Sequence, residues 1–354
     1  MSEWPEGGLG EMFRLIGALP EQMERSAALA GLDEIGRAGA DLRRIVLCGM
    51  GGSAIAGDLV QPLLQAGRVS LTVWRDYGLP HWVDADDLVL CCSYSGNTEE
   101  SLSGARRAGE LGCARIAVSS GGELTALAGR EHFPVVALPG GLPPRASLGF
   151  GLGALVRVLE RLGVVPGGGG HIHEAAALLR GLDAARRDPM AAPAAGVEDG
   201  AGNPSPADLA TILAGRVPVI YTAGLEAHAA GLRLKAQLNE NSKMPACLAA
   251  FPELDHNDLV GWALAPEQRE RFVLIILRGP DDNERTAPRV EITRDLLWDE
   301  FADVHEIRAA GETPLARVMS LVQYGDYLSC HLAHRNGVDP VPVDRISKLK
   351  TALG

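Results

Sequence analysis

Arg43-Arg44-Ile45-Val46-Leu47-Cys48-Gly49-Met50-Gly51-Gly52-Ser53 sets the reading of the whole chain. An unbroken apolar run ends in a glycine-rich turn, and a helical pattern opens at about Ala54. A run without polar alternation suits a strand covered on both faces, which is the situation in a parallel sheet. Working outward, VSLTVW (69–74), DLVLCC (87–92), ARIAVSS (114–120) and FPVVAL (133–138) repeat the feature, with room for a helix between most of them. This half predicts a doubly wound α/β domain.

The rhythm resumes with VPVIYT (217–222), MPACLAA (244–250), RFVLIIL (271–277) and ADVHEIRA (302–309). Between the halves lie a helix from about Gly149, PGGGG (166–170), a second helix into Arg187 and the Pro-, Ala- and Gly-rich DPMAAPAAGVEDGAGNPSPADL, which reads as a mobile connection. At 354 residues the chain exceeds the usual span of a single core. The expected fold is therefore α/β, with two doubly wound parallel-sheet domains and flanking helices. Their bounds are expected at 1–165 and 207–354, with a helical and flexible connection over 166–206.

A net charge of -12 argues against a non-specific nucleic-acid or anionic-membrane binder, which needs a basic surface. The six cysteines lack CxxC spacing and read as reduced structural thiols. The opening MSEWPEGGLGEM is acidic, and no long apolar run offers a membrane helix, so a cytoplasmic protein is expected. His171 and His173 follow PGGGG without a nearby carboxylate and suit a loop better than a metal site; His331 and His334 lack a third ligand. No metal and no redox cofactor are expected.

Two loops carry anion chemistry. After 43–48, glycines let the backbone approach an anion, and Gly51, Gly52 and Ser53 place N–H groups and a hydroxyl at a helix start. Gly49-x-Gly51-x-x-Ala54, with Asp76 after the next strand, also fits a dinucleotide fingerprint, which keeps an NAD-binding dehydrogenase as an alternative. The second loop, Ser93-Tyr94-Ser95-Gly96-Asn97-Thr98, enters a helix beginning with Glu99 and Glu100. Ordinary capping accounts for one of the hydroxyls of Ser93, Ser95 and Thr98; all three on one tight turn suit a terminal phosphate.

GMGGS followed by SYSGNTEE resembles the sugar isomerase (SIS) domain family, and the later motifs are similar to those of the bifunctional phosphoglucose/phosphomannose isomerases. The likeness covers nearly the whole chain and is weakest at 1–35 and 188–206. It implies an aldose–ketose isomerase acting on glucose 6-phosphate, and on mannose 6-phosphate, through a base and an enediolate.

Four segments then acquire roles. Glu240, in QLNENSKMP (237–245), could be a solvated helix end paired with Lys243; the resemblance implies the base that moves the C1/C2 proton. His256, in ELDHND (253–258), could be a surface-loop histidine; the resemblance implies ring opening, with the histidine supplied by the other subunit of a homodimer. Arg145, in LPPRASLGF (142–150), follows two stiff prolines and is implied as the group that stabilises the enediolate. Near the C-terminus, helical spacing puts Lys350, rather than Lys348, on an inward face with Ile346 and Leu353, and the resemblance implies a part in ring opening or sugar contact. The family often carries a threonine before this helix where Val341 and Val343 stand, which makes the mannose epimer the less secure substrate. A sugar-phosphate sensor without chemistry is the remaining alternative.

Overall fold

The apolar runs become strands in the computed structural model, which describes residues 7–39, 41–188, 202–280 and 283–353. In the first sheet, β1 (Arg44–Cys48), β2 (Ser70–Trp74), β3 (Leu88–Cys92), β4 (Ala114–Ser119) and β5 (Val135–Ala137) are all parallel and lie in the order β2-β1-β3-β4-β5. The second sheet, also parallel, has β6 (Val217–Ala223), β7 (Cys247–Ala250), β8 (Phe272–Arg278) and β9 (Asp303–Arg308) in the order β7-β6-β8-β9.

Thirteen α-helices accompany the strands among the described residues. The early ones are α1 (Gly8–Gly17), α2 (Leu19–Arg25), α3 (Gly51–Val60), α4 (Glu99–Leu111), α5 (Gly122–Glu131), α6 (Leu148–Arg161) and α7 (Gly168–Arg187). The later ones are α8 (Pro206–Leu213), α9 (Gly224–Glu240), α10 (Pro266–Arg269), α11 (Thr286–Leu297), α12 (Pro314–Arg335) and α13 (Asp344–Leu353). None is long and apolar enough to cross a membrane.

Two compact units result. One, with the five-stranded sheet, comprises residues 18–177 and 313–316; the other, with the four-stranded sheet, takes the rest. The bounds differ from the expected 1–165 and 207–354 at the N-terminus, because α1 belongs with the four-stranded unit. Phe13 of α1 lies 5.6 Å from the Tyr327 ring and 5.0 Å from the His331 ring of α12, so burial of a nonlocal aromatic contact sets the boundary. His171 and His173 fall within α7, not in a loop, since the glycines before them do not prevent a helix start. Most of the expected mobile connection, 189–201, lies outside the described residues.

Each sheet is covered on both faces, as its strands demand. The five-stranded core packs Val46, Val89 and Cys91 against Leu102 and Leu124; the four-stranded core packs Val219, Leu274 and Ile276 against Val290 and Phe301. Five of the six cysteines are buried, and burial pushes the Cys48 thiol up to about 12. Cys247, on β7, is exposed and departs from the core-thiol expectation.

Candidate active site

The strand order 2-1-3-4-5 reverses between β1 and β3, and ligands of open α/β sheets bind at such a switch point, beyond the C-terminal ends of the strands. The loops 49–53 and 93–98 leave β1 and β3 at that place. A dinucleotide-type sheet, ordered 3-2-1-4-5-6, has its switch point between its first and fourth strands, not between the first and third. The topology thus separates this unit from the dehydrogenase alternative.

Glycines fit the loops together. A Cβ on Gly52 would stand 3.0 Å from the Pro144 carbonyl oxygen and 3.7 Å from the Arg145 Cα, so the bare α-carbon lets the 142–147 segment rest on the first turn of α3. Gly96 has a φ of +72°, and a Cβ there would meet the Gly121 carbonyl oxygen at 1.8 Å. The loop after β4 therefore backs the second phosphate loop directly.

Hydrogen bonds complete the frame. The Tyr94 N–H donates to Ser53 Oγ at 3.3 Å, joining the two loops. The Tyr94 hydroxyl donates to the Pro139 carbonyl at 2.9 Å and accepts from the Leu142 N–H at 3.0 Å, which anchors the strand exit leading to Arg145. Gln22 donates to the Ala146 carbonyl at 2.9 Å from the other side. Arg145 itself is buried in the unit. Tyr94 and Gln22 escaped the sequence reading. The tyrosine between two serines was visible there, but its hydroxyl's long-range partners were not.

The three hydroxyls of the second loop differ in place. Ser93 is buried and accepts from the N–H groups of Gly96 at 3.1 Å and Thr98 at 3.4 Å, with Thr98 Oγ1 2.8 Å away. Ser95 is exposed and accepts from the Asn97 N–H at 3.2 Å, which leaves its own proton to donate outward. Thr98 is the residue before α4 but makes no side-chain cap, so the first N–H groups of that helix are not satisfied by it. In the four-stranded unit, Glu226 in the first turn of α9 holds Arg317 in a bidentate pair at 2.9 Å for each contact.

In the four-stranded unit, Glu240 ends α9. A buried polar ladder braces that helix against α12: Arg233 donates to both Asp326 carboxylate oxygens at 2.9 and 2.7 Å, Gln237 to Asp326 at 3.1 Å and Asn241 to Ser329 Oγ at 2.9 Å. Ser242 donates to the Ser329 carbonyl at 2.7 Å. Burial pushes the Asp326 carboxyl upward, against the pull of Arg233 and Gln237. Residues 233, 237 and 241 are spaced by four, so one helix face carries the ladder.

His256 closes a 3-10 turn (Glu253–His256) beyond the C-terminal end of β7 and is exposed. Its neighbour Asp255 is committed to Arg289 at 3.1 Å and Thr293 at 3.0 Å on α11. Because α9 runs back antiparallel to the strands it joins, Glu240 lies toward the N-terminal ends of the strands and His256 beyond their C-terminal ends. From the rise of helix and strand, the two are on the order of 20 Å apart within one chain. The unit thus brings Glu240 to the start of α13 and keeps its own His256 away.

Lys350 lies on α13, and here the structure corrects the expected inward face. No residue of α13 is buried; Ile346, Leu349 and Leu353 are 43%, 60% and 71% exposed. The helical spacing is as read, but among the described residues no element covers the apolar stripe. Among the described residues, no group of three or more His, Cys, Asp or Glu side chains is arranged to hold a metal ion.

Comparison with known proteins gives this geometry a context. Residues 204–353 match the family described as the bacterial phospho-glucose isomerase C-terminal SIS domain. A bifunctional phosphoglucose/phosphomannose isomerase of Caldicellulosiruptor bescii is 34% identical over 97% of this chain and 98% of its own. Another, of Aquifex aeolicus, is 36% identical over 87% of this chain and 90% of its own. Among solved structures, the C-terminal domain of glucosamine-fructose-6-phosphate aminotransferase from Francisella tularensis superposes with a TM-score of 0.67 at 15% identity, over 93% of this chain and 97% of that one. That last likeness bears on the fold alone.

Proposed function

The chain belongs to the bifunctional phosphoglucose/phosphomannose isomerase family, and on that footing we propose that it interconverts glucose 6-phosphate and mannose 6-phosphate with fructose 6-phosphate. The observation that carries the reading is the pair of loops at the β1/β3 switch point, tied together through Tyr94 and Ser53. The substrate's terminal phosphate is held by the N–H groups of Gly51 and Gly52, by Ser53, and by the hydroxyls of Ser95 and Thr98 at the start of α4. Ser93 shapes that turn from within, and charge-assisted hydrogen bonds supply most of the affinity.

Chemistry follows from the requirements of the reaction. The ring opens as a proton is delivered to the ring oxygen and one leaves the anomeric hydroxyl, a task for His256 with Lys350 beside the sugar. The Glu240 carboxylate then removes the C2 proton of the aldose and the electron pair forms the enediolate; as the O2 proton passes to O1, return of the carbon-bound proton to C1 gives the ketose. Arg145 holds the charge that develops on oxygen. Glucose and mannose 6-phosphates differ only at C2, so one enediolate serves both.

A homodimer follows from the same reading. The sheet separates Glu240 from the His256 of its own chain, so a second copy supplies the histidine. The open apolar stripe of α13 supports such a contact, as do exposed Val260 near His256 and exposed Ile292 and Leu296 on α11. To test the reaction, fructose 6-phosphate is incubated with the protein in D2O. Deuterium at C2 of the glucose 6-phosphate formed is the expected result, and product formed without any exchange, over repeated turnovers, would contradict a solvent-accessible base.

A further inference from the structure

We propose that Lys243 is a positioning residue of the isomerase reaction: its ammonium clamps the segment that launches α13 to the end of α9, and so sets Lys350 relative to Glu240. The proposal rests on the roles given above to Glu240 and Lys350.

Lys243 follows α9 with a φ of 55°, in the left-handed region where glycine is the usual choice. A lysine in that conformation is strained, so its side chain must be what the position requires. The ammonium donates to the backbone carbonyl of Glu240, to that of Pro342 at 2.8 Å and to that of Pro340 at 3.4 Å. An ammonium has three donors and no acceptor, so this set of carbonyls matches it fully. A planar guanidinium could not converge on the same three oxygens.

The segment it grips is short and leads straight into α13. Asp339 accepts the Val341 N–H at 2.9 Å and turns the chain, Pro340 and Pro342 stiffen it, and α13 begins two residues later. Since α13 buries none of its residues, its placement depends on this launch point. On the other side, Asn336 donates to the Ser242 carbonyl at 3.2 Å, and Ser242 is buried against Ser329. One turn, 240–243, therefore carries the proposed base, is locked to α12, and reaches through the Lys243 side chain to the segment that launches the lysine-bearing helix.

A merely structural role would appear as lost stability, and Lys243→Gly separates the two. Glycine relieves the left-handed strain while removing the clamp, so the melting temperature should hold or rise. Turnover of fructose 6-phosphate should nevertheless fall at least about tenfold in kcat, with KM within about twofold, because misplacement by an ångström can cost that much. Amide hydrogen exchange over 344–353 should quicken in the same protein. Lys243→Met, which keeps the stem and loses the donors, should repeat both effects. Unchanged exchange across α13 in both variants overturns the clamp, as does a kcat within twofold of the parent. If the parent protein showed no turnover at all, the isomerase reading would be what fails, and the exchange measurement would still decide the clamp.

Discussion

The Tyr94 N–H meets the Ser53 hydroxyl at 3.3 Å, and through that bond the loops after β1 and β3 form one surface rather than two. The phenol of the same residue holds Pro139 and Leu142, so a single tyrosine relates both phosphate loops to the segment bearing Arg145.

Tyr94→Phe should therefore act on more than stability. Removing a hydroxyl that donates once and accepts once should cost about 1–2 kcal/mol in chemical denaturation. It should also lower kcat/KM for fructose 6-phosphate about tenfold, because Arg145 loses its anchor. A fall in stability with unchanged kinetics would sever Arg145 from this frame.

Ser93 and Ser95 should respond in opposite ways. Ser93→Ala removes the side-chain acceptor of the Thr98 N–H and the partner of the Thr98 hydroxyl, while the Gly96 N–H keeps the Ser93 carbonyl at 3.1 Å, and should cost about 1–2 kcal/mol of stability. Ser95→Ala removes an exposed hydroxyl, so the melting temperature should barely move. The KM for fructose 6-phosphate should instead rise roughly tenfold or more, as expected for a lost hydrogen bond to a charged phosphate. Equal and small effects on KM from both would argue against phosphate binding at this loop.

Much of this was legible beforehand. Unalternating runs such as Leu88–Cys92 mark strands buried on both faces, and each expected strand is found within a few residues. The two glycine-rich loops were visible because a close backbone approach leaves few alternatives to glycine. What sequence could not supply is long-range partnership. Gln22 touching Ala146, Phe13 packing on Tyr327 and Lys243 gripping Pro342 join positions far apart in the chain, and no local period encodes them. The α13 stripe shows the converse case: periodicity found the apolar face correctly but could not say whether its own chain would cover it.

The Arg233–Asp326 pair is buried on both sides, which makes it costly to break singly. Arg233→Met should destabilise by about 3–5 kcal/mol, since it strands a buried carboxylate. Pairing it with Asp326→Leu should recover much of that loss, while kcat stays depressed if the ladder positions Glu240. Urea unfolding of the three variants measures the first effect, and turnover per folded enzyme measures the second.

Acid should loosen the contact between α1 and α12. Burial lowers the His331 pKa, and the neighbouring His334 and Arg335 act in the same direction. The unfolded chain thus takes up the proton first as pH falls. The contribution is fully present above the unfolded value of about 6.5 and is lost as pH drops through the lower folded value. His331→Gln removes that dependence, so the melting-temperature gap between the parent and this variant should narrow or invert between about pH 6.5 and pH 5. A gap constant across that range would place the imidazole's protonation outside the folding equilibrium.

The central claim is that this chain is an isomerase whose base is Glu240. The most direct measurement gives fructose 6-phosphate to the parent protein and to Glu240→Gln and quantifies glucose 6-phosphate and mannose 6-phosphate separately. Both products from the parent, and a loss of at least about a hundredfold in the variant with fructose 6-phosphate still bound, is the predicted result. Comparable turnover by the two proteins, or no product from the parent, would contradict it.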